Sequence, residues 1–325
     1  MPIIKNSGSL YLPDGDIVLF SLPKDDVITA FKVDRVLLRR ASPVFEAMFA
    51  LPPSENNESY DDTPLVKLQD ESDHLTMFLN ALYDSRCIPW QKNGLRTVRE
   101  VDGTLILAVK YQVDHLHQRI VSLLERDWPS ILADWDINEA ELNIRGWPAV
   151  LTLTPEPCEV ISLARKCGIT SILPAAFYHS ARIQASSDRR LLSPEEMKNC
   201  RSADFSLLSA EDFRRLVIGR NKIMHIFRRY LTEAHSYALD THKLFDSSRD
   251  KCRSDLDGFK DRVELRVFRY INDPLTMMRK EVCMRDESPI QSCYSCKDRF
   301  IRSLESRRNA FWEELPSLFL LDSEQ

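Results

Sequence analysis

Between residues 16 and 49 the apolar pattern changes its period from two to about 3.6, with no linker in between. No other feature of the chain constrains its fold so tightly. Residues 16–22, DIVLFSL, predict a strand, and PKDD after it predicts a turn. In VITAFKV, residues 27–33, Val27, Thr29, Phe31 and Val33 share one face, and Ile28, Ala30 and Lys32 the other. The two runs predict a hairpin with one buried face. Asp34 can then cap a short helix through Leu38. Ser42 is a good N-cap, and Pro43 falls at the first helical position, where its missing N–H costs nothing. Phe45, Met48 and Phe49 follow at helical spacing. Strand, helix and helix are thus packed into one short span, each burying a face against the next.

Farther on, residues 51–64, LPPSENNESYDDTP, predict an exposed acidic loop. A strand resumes over 65–68 and a helix starts near Ser72. Residues 86–103 form a polar connection that contains Trp90. Ile106, Val109, Val113, Leu116, Ile120 and Leu123 then recur at spacings of 3, 4, 3, 4 and 3, the stripe of one long helix or a helix pair. The first unit is expected to end near Trp128-Pro129. The rest reads as helical. Thr154-Pro155-Glu156 opens a helix that Cys167-Gly168 closes. Leu173-Pro174 starts the next, and Ser193-Pro194-Glu195-Glu196 has the form of a capping box. Ser209 opens the longest helix, with Phe213, Leu216, Ile223, Phe227, Tyr230, Ala234 and Tyr237 along its apolar side and Arg220 intruding once. Only eight glycines in 325 residues suit a chain so helical.

The net charge of −5 lacks the basic footprint of wholesale nucleic-acid binding. No apolar run approaches the roughly 18 residues needed to cross a bilayer, and MPIIKNSGSLYLPDGD does not read as a signal peptide. A cytoplasmic or nuclear location is expected, where the eight cysteines would be reduced thiols or metal ligands. Hydrolase, P-loop, dinucleotide-binding and zincin signatures are absent from the sequence. The carboxylate pairs Asp25-Asp26 and Asp61-Asp62 sit in polar turns, so no catalysis is expected.

Cys293-Tyr-Ser-Cys296 is the sharpest local motif. Two thiolates so spaced can grip one Zn²⁺, but a tetrahedral site needs two more ligands. Cys283 and Cys252 are the nearest candidates, with His242 in reserve. The alternative is a pair of half-buried thiols at a helix start. Cys87, Cys158, Cys167 and Cys200 read as buried small apolar residues. His115 and His117 lie two apart on a helix and cannot share a metal from one face. Arg214, Arg215, Lys222, Arg228 and Arg229 make part of the helix at 209–240 basic, bracketed by Glu211, Asp212 and Glu233. A solvated face is one reading. The other is a zinc-stabilised nuclear regulator that touches nucleic acid through this helix. Phe311 and Trp312 are expected to pack the tail onto the helical part.

In order along the chain, DGDIVLF, FKVDRVLL, SPVFEAMF, VKLQDESD, FLNALYD and LAVKYQVDHL resemble a BTB/POZ domain, of the kind found in large fungal (basidiomycete-like) families. EVISLARKCGITSILPAAFYHSAR, LSAEDFRRLVIGRNKIMHI and CYSC…FWEELPSLFLL resemble the helical tail of those proteins. The resemblance implies an α+β fold. A tail at 1–13 would precede a small sheet flanked by helices at 14–128, and a mostly helical domain would follow at 129–325. The function it implies is protein–protein association: self-pairing, adaptor contacts with a cullin-type ubiquitin ligase, or recruitment of transcriptional partners. Asp16 and Arg35 match the acidic and basic positions of the family's charged pocket at the dimer face. Asp34 stands where the family has His, which changes the local charge. Asp16, Asp34, Arg35, Val36 and Leu37 are therefore the candidate interface residues. The helix at 72–84 is followed by no hydrophobic-x-Glu cullin signature.

Overall fold

A computed structural model describes residues 2–51, 58–88, 97–145, 156–198, 200–240, 249–267, 273–279 and 293–322. They fall into two units. One is Met1–Asp127 with Thr152–Glu156 and Leu163–Thr170, and the other holds the remainder.

The first unit is built on a five-stranded sheet: β1 (Ile3–Tyr11), β2 (Ile17–Phe20), β3 (Val27–Val33), β4 (Ser59–Tyr60) and β5 (Thr63–Lys67), in the order β1-β3-β2-β5-β4. β2 pairs antiparallel with β3, placing Leu19 opposite Phe31, and parallel with β5, placing Val18 beside Leu65. Both tight hairpins turn on an Asp-Asp pair. Asp25 and Asp26 have φ of 50° and 58°, and Asp61 and Asp62 have 52° and 55°. This left-handed turn matches the twist of the flanking strands, and Asp is among the few residues that enter it readily. Both expected carboxylate pairs are thus turn formers.

Several expectations for this unit need correcting: the loop read at 51–64 holds β4 and the first residues of β5, and the connection read at 86–103 runs into α4 from Thr97 onward. Residues 1–13, read as a tail, contribute β1, which pairs parallel with β3. Its alternation is weak because β1 is an edge strand and mostly exposed. The β2–β3 hairpin, expected to bury one face, is covered on both: all four residues of β2 are buried, as are Ala30 and Phe31 of β3. Central strands covered on both sides lose the inside–outside alternation. Val18, Phe20 and Ala30 form one core cluster with Tyr11, Ile28, Tyr60 and Leu65 packed on it.

Two short helices, α1 (Arg35–Ala41) and α2 (Pro43–Ala50), follow β3. Ser42 caps α2 as the sequence implied, accepting from the Phe45 N–H at 3.1 Å. α3 (Ser72–Tyr83) packs on α4 (Thr97–Lys110), and α4 on α5 (Asp114–Asp127). The stripe from Ile106 to Leu123 therefore belongs to a helix pair, broken where Gln112 takes a φ of 54°. Tyr111 stacks on Phe45 at the break, with ring centroids 4.3 Å apart.

The second unit contains α6 (Leu132–Arg145), α8 (Leu173–Ala181), α9 (Ala210–Leu239), α10 (Arg249–Arg266), α11 (Pro274–Met277), α12 (Tyr294–Ser306), α13 (Arg308–Glu313) and α14 (Leu315–Leu318). Between α6 and α8 in the chain comes α7 (Pro157–Cys167), which ends at Gly168 with a φ of +69°, the expected glycine cap. Long α9 is the hub: α8, α10, α11, α12 and α14 all contact it. Its first turn is capped by Ser209, which accepts from the Asp212 N–H. Leu216, Ile223, Phe227, Tyr230 and Ala234 are buried as their spacing implied, whereas Phe213 and Tyr237 stand exposed. The Ser193–Glu196 capping box forms, with reciprocal bonds between the two residues, but opens only a single 3₁₀ turn. Phe311 and Trp312 are buried, and the indole of Trp312 donates to the Ser130 carbonyl at 2.8 Å.

Candidate functional site

At the strand–helix junction, the carboxylate expected to cap α1 does not do so. Asp34 makes no side-chain cap bond. Its Oδ2 instead accepts from the Tyr83 hydroxyl at 2.9 Å, and its backbone N–H donates to the Tyr83 hydroxyl oxygen, also at 2.9 Å. Burial, reinforced by the Asp34 carboxylate, pushes the Tyr83 phenol up to about 12. The cap comes from Asp16, whose Oδ1 accepts from the Arg35 N–H at 2.6 Å. A residue 19 positions away thus takes the role that adjacency assigned to Asp34, because β2 and β3 bring Asp16 to the start of α1. The Arg35 guanidinium donates to the Phe49 carbonyl at 2.6 Å and lies 5.1 Å from the Phe49 ring centre. Asp16 and Arg35 are therefore joined through a backbone N–H, while the guanidinium fastens α1 to α2. On the same helix Leu38 is buried and Leu37 half-buried, and Val36 is 55% exposed. Ile3 and Leu51 are further exposed apolar side chains of this unit, at 68% and 71%.

In the second unit, Cys252 of α10, Cys293 at the N-cap of α12 and Cys296 in its first turn bring their sulfurs within 4.8 Å of one another. Cys252 and Cys296 are buried and Cys293 is half-buried. The Cys293 N–H donates to the Cys252 sulfur at 3.3 Å. Burial first, and then hydrogen bonding and charge from Cys293 and Cys252, push the Cys296 thiol up to about 12. Three of the four expected metal ligands are thus together. The fourth, Cys283, lies outside the described residues, as does His242. Of the other cysteines, Cys158 and Cys167 are buried as expected, but Cys87 is exposed and Cys200 partly so. Cys87 falls in an isolated 3₁₀ turn, where no apolar periodicity orients a side chain inward.

The basic surface of α9 is balanced locally. Arg214 pairs with Glu211, Arg215 with Glu211 and Asp212, Arg228 with Glu264, and Arg229 with Glu233. Lys222 reaches the Ser317 carbonyl at 3.4 Å. These partners remove most of the unbalanced positive field that phosphate binding draws on.

One polar cluster has no counterpart among the sequence candidates. Buried Arg182 donates to Asp273 at 2.6 Å and to Glu139 at 2.7 Å, and Arg201 approaches Glu139 at 3.4 Å. Tyr178 donates to Asp273 at 2.7 Å. The Arg182 guanidinium lies 4.9 Å from the Trp135 ring centre and 2.9 Å from His179 Nδ1. Burial alone would raise the Glu139 carboxyl, but the charges and hydrogen bonds of Arg182 and Arg201 together outweigh it and hold the group down to about 2. Burial, aided by the charge of Arg182, holds His179 well below the usual imidazole range. Two guanidinium groups here face two carboxylates, packed between aromatic rings, which suits a structural keystone better than a ligand site. Its members come from four separate segments, so no local motif announces them. Of the four charged residues only Glu139 lies within a helix; Arg182 and Asp273 sit at helix ends and Arg201 lies outside the helices, so periodicity gives no signal for them.

A small mixed sheet flanked by helices, followed by a mostly helical remainder, defines an α+β protein. Residues 25–127 match the family model of the BTB/POZ domain, so this part of the chain is a BTB/POZ domain, a protein–protein interaction module. The match begins within the β2–β3 turn, and β1 and β2 extend the sheet on its N-terminal side. Comparison with curated proteins finds no match. Among the described residues, no helix is long and apolar enough to cross a membrane.

Proposed function

We propose that the chain acts as a non-catalytic association module: its BTB/POZ domain pairs with a second copy or with a related domain, and its helical part selects or positions a protein partner. The observation that carries this reading is apolar surface left exposed on a domain whose family mediates association, above all Val36 on α1. Burying such side chains against another chain would gain roughly 25 cal/mol per Å² of apolar area. Asp16, Asp34, Arg35, Val36 and Leu37 are the proposed interface. Asp16 and Arg35 hold α1 in place, and Val36 and Leu37 supply the contact. Within this reading, an adaptor or transcription-related scaffold is the finer role. A fungal-type kinship that extends over the helical tail is part of the same proposal, and it rests on the resemblance of the segments at 159–182, 208–226 and 293–321.

Size-exclusion chromatography with light scattering tests the reading. The wild-type chain is expected to elute as a dimer, and Val36→Asp to shift toward monomer with unchanged circular dichroism. A wild-type monomer at every concentration that also retains no protein in affinity capture, or a V36D variant that pairs as the wild type does, would overturn it.

A further inference from the structure

We propose that Cys252, Cys293 and Cys296 bind a zinc ion through three thiolates, forming a clasp between α10 and the start of α12. The inference is independent of the association reading. Cys252 lies 41 residues before Cys293, yet the three sulfurs converge within 4.8 Å. Zinc–sulfur bonds of about 2.3 Å in a tetrahedron place the sulfurs about 3.8 Å apart, so closing on the ion requires movements of an ångström or less. A disulfide would consume two of the three sulfurs and leave the third without a role.

The surroundings fit thiolate ligands in two ways. Cys293 and Cys296 occupy the N-cap and first turn of a 13-residue helix, where the helix dipole favours negative charge. The Cys293 N–H is already directed at the Cys252 sulfur, the kind of outer hydrogen bond that orients a metal-bound thiolate. The cluster also continues an apolar seam. Cys252, Leu256, Phe259 and Val263 are buried along α10, and Cys296, Phe300 and Leu304 along α12. Phe259 meets Phe300 edge-on at 5.5 Å. A metal at one end of this seam would tie down two helices whose connecting chain is long.

Binding would proceed as Zn²⁺ plus three thiols giving a zinc tris-thiolate and three protons released to solvent, with no change in oxidation state. The fourth position of the tetrahedron would be taken by a further donor.

The full-length chain, purified under reducing conditions without chelator, should carry stoichiometric zinc by inductively coupled plasma mass spectrometry. Loading the metal-free chain with Co²⁺ should give the visible d–d absorption of a tetrahedral, thiolate-rich site. Cys252→Ser and Cys296→Ser should each lose most of the metal, and Cys87→Ser should keep it. The cobalt titration uses wild-type protein, so it stands even if a variant misfolds. Zinc well below stoichiometry together with no tetrahedral cobalt spectrum would overturn the proposal. So would a disulfide within the trio in freshly isolated protein.

Discussion

Arg182 and Asp273, 91 residues apart in sequence, meet at 2.6 Å in the interior of the helical unit. Asp273 also accepts from Tyr178 and, as the N-cap of α11, from Thr276. Removing it would strand a buried guanidinium and uncap a helix together. Asp273→Ala should therefore cost about 3–5 kcal/mol, the range for breaking a buried ion pair from one side. Urea unfolding followed by tryptophan fluorescence measures this, since Trp128, Trp135 and Trp312 are all buried in this unit. A loss below about 1 kcal/mol would show the network to be dispensable.

The same network predicts an acid limb of stability. Glu139 has its pKa depressed to about 2, so its stabilising contribution is complete above the unfolded carboxyl value of about 4.3 and is lost as pH falls toward 2. His179 is also depressed, but it is a base. Above its unfolded value of about 6.5 it contributes nothing, and below that the unfolded chain takes up a proton that the native site refuses. Stability should therefore begin to fall just below pH 6.5 and fall again below about 4.3. His179→Gln should flatten the upper limb and leave the lower one. Unfolding free energies across the range check both limbs, and an upper limb unchanged in the variant would remove His179 from the account.

Gly219 reverses the usual helix rule. Alanine for glycine inside a helix ordinarily stabilises by about 1 kcal/mol. At this position on α9 a Cβ would stand 2.1 Å from Cδ1 of Phe319, a buried ring that also contacts Phe177 at 5.3 Å. The clash should outweigh the propensity, and Gly219→Ala should destabilise by about 1–3 kcal/mol. Adding Phe319→Leu should recover part of the loss. Thermal melts of the single and double variants decide it, and a stabilised G219A would show that the ring moves aside freely.

Ser42 serves two segments with one hydroxyl. It accepts from the Phe45 N–H and donates to the Tyr111 carbonyl at 2.5 Å, linking the start of α2 to the α4–α5 break. Ser42→Ala should cost about 1–2 kcal/mol, from the lost cap and the unpaired buried carbonyl. Hydrogen exchange should accelerate in peptides covering both Phe45 and Tyr111. Acceleration at Phe45 alone would mean that the bond to Tyr111 carries no weight.

How much of this was legible in advance follows the range of each interaction. The caps at Ser42, Ser193 and Ser209, the glycine stop at Gly168, the Asp-Asp turns and the apolar side of α9 were readable because their physics spans a few residues. The Cys293–Cys296 pair was readable for the same reason, whereas only its residue type marks Cys252 as a companion. Asp16 displacing Asp34 as the cap of α1 was not readable, because any carboxylate that pairing brings to a helix start can satisfy its N–H groups.

By itself, then, the sequence determined the central strands and most of the helices in their order, together with the association class implied by the ordered motifs at 14–116. Tertiary structure decided which distant groups meet. It recruited β1 to the sheet, buried both faces of β2, paired Arg182 with Glu139 and Asp273, and gathered three sulfurs at the start of α12. The division has a physical cause. Dihedral preferences and helix or strand periodicity act between near neighbours, whereas desolvating a charge or a thiol depends on what the rest of the chain packs against it.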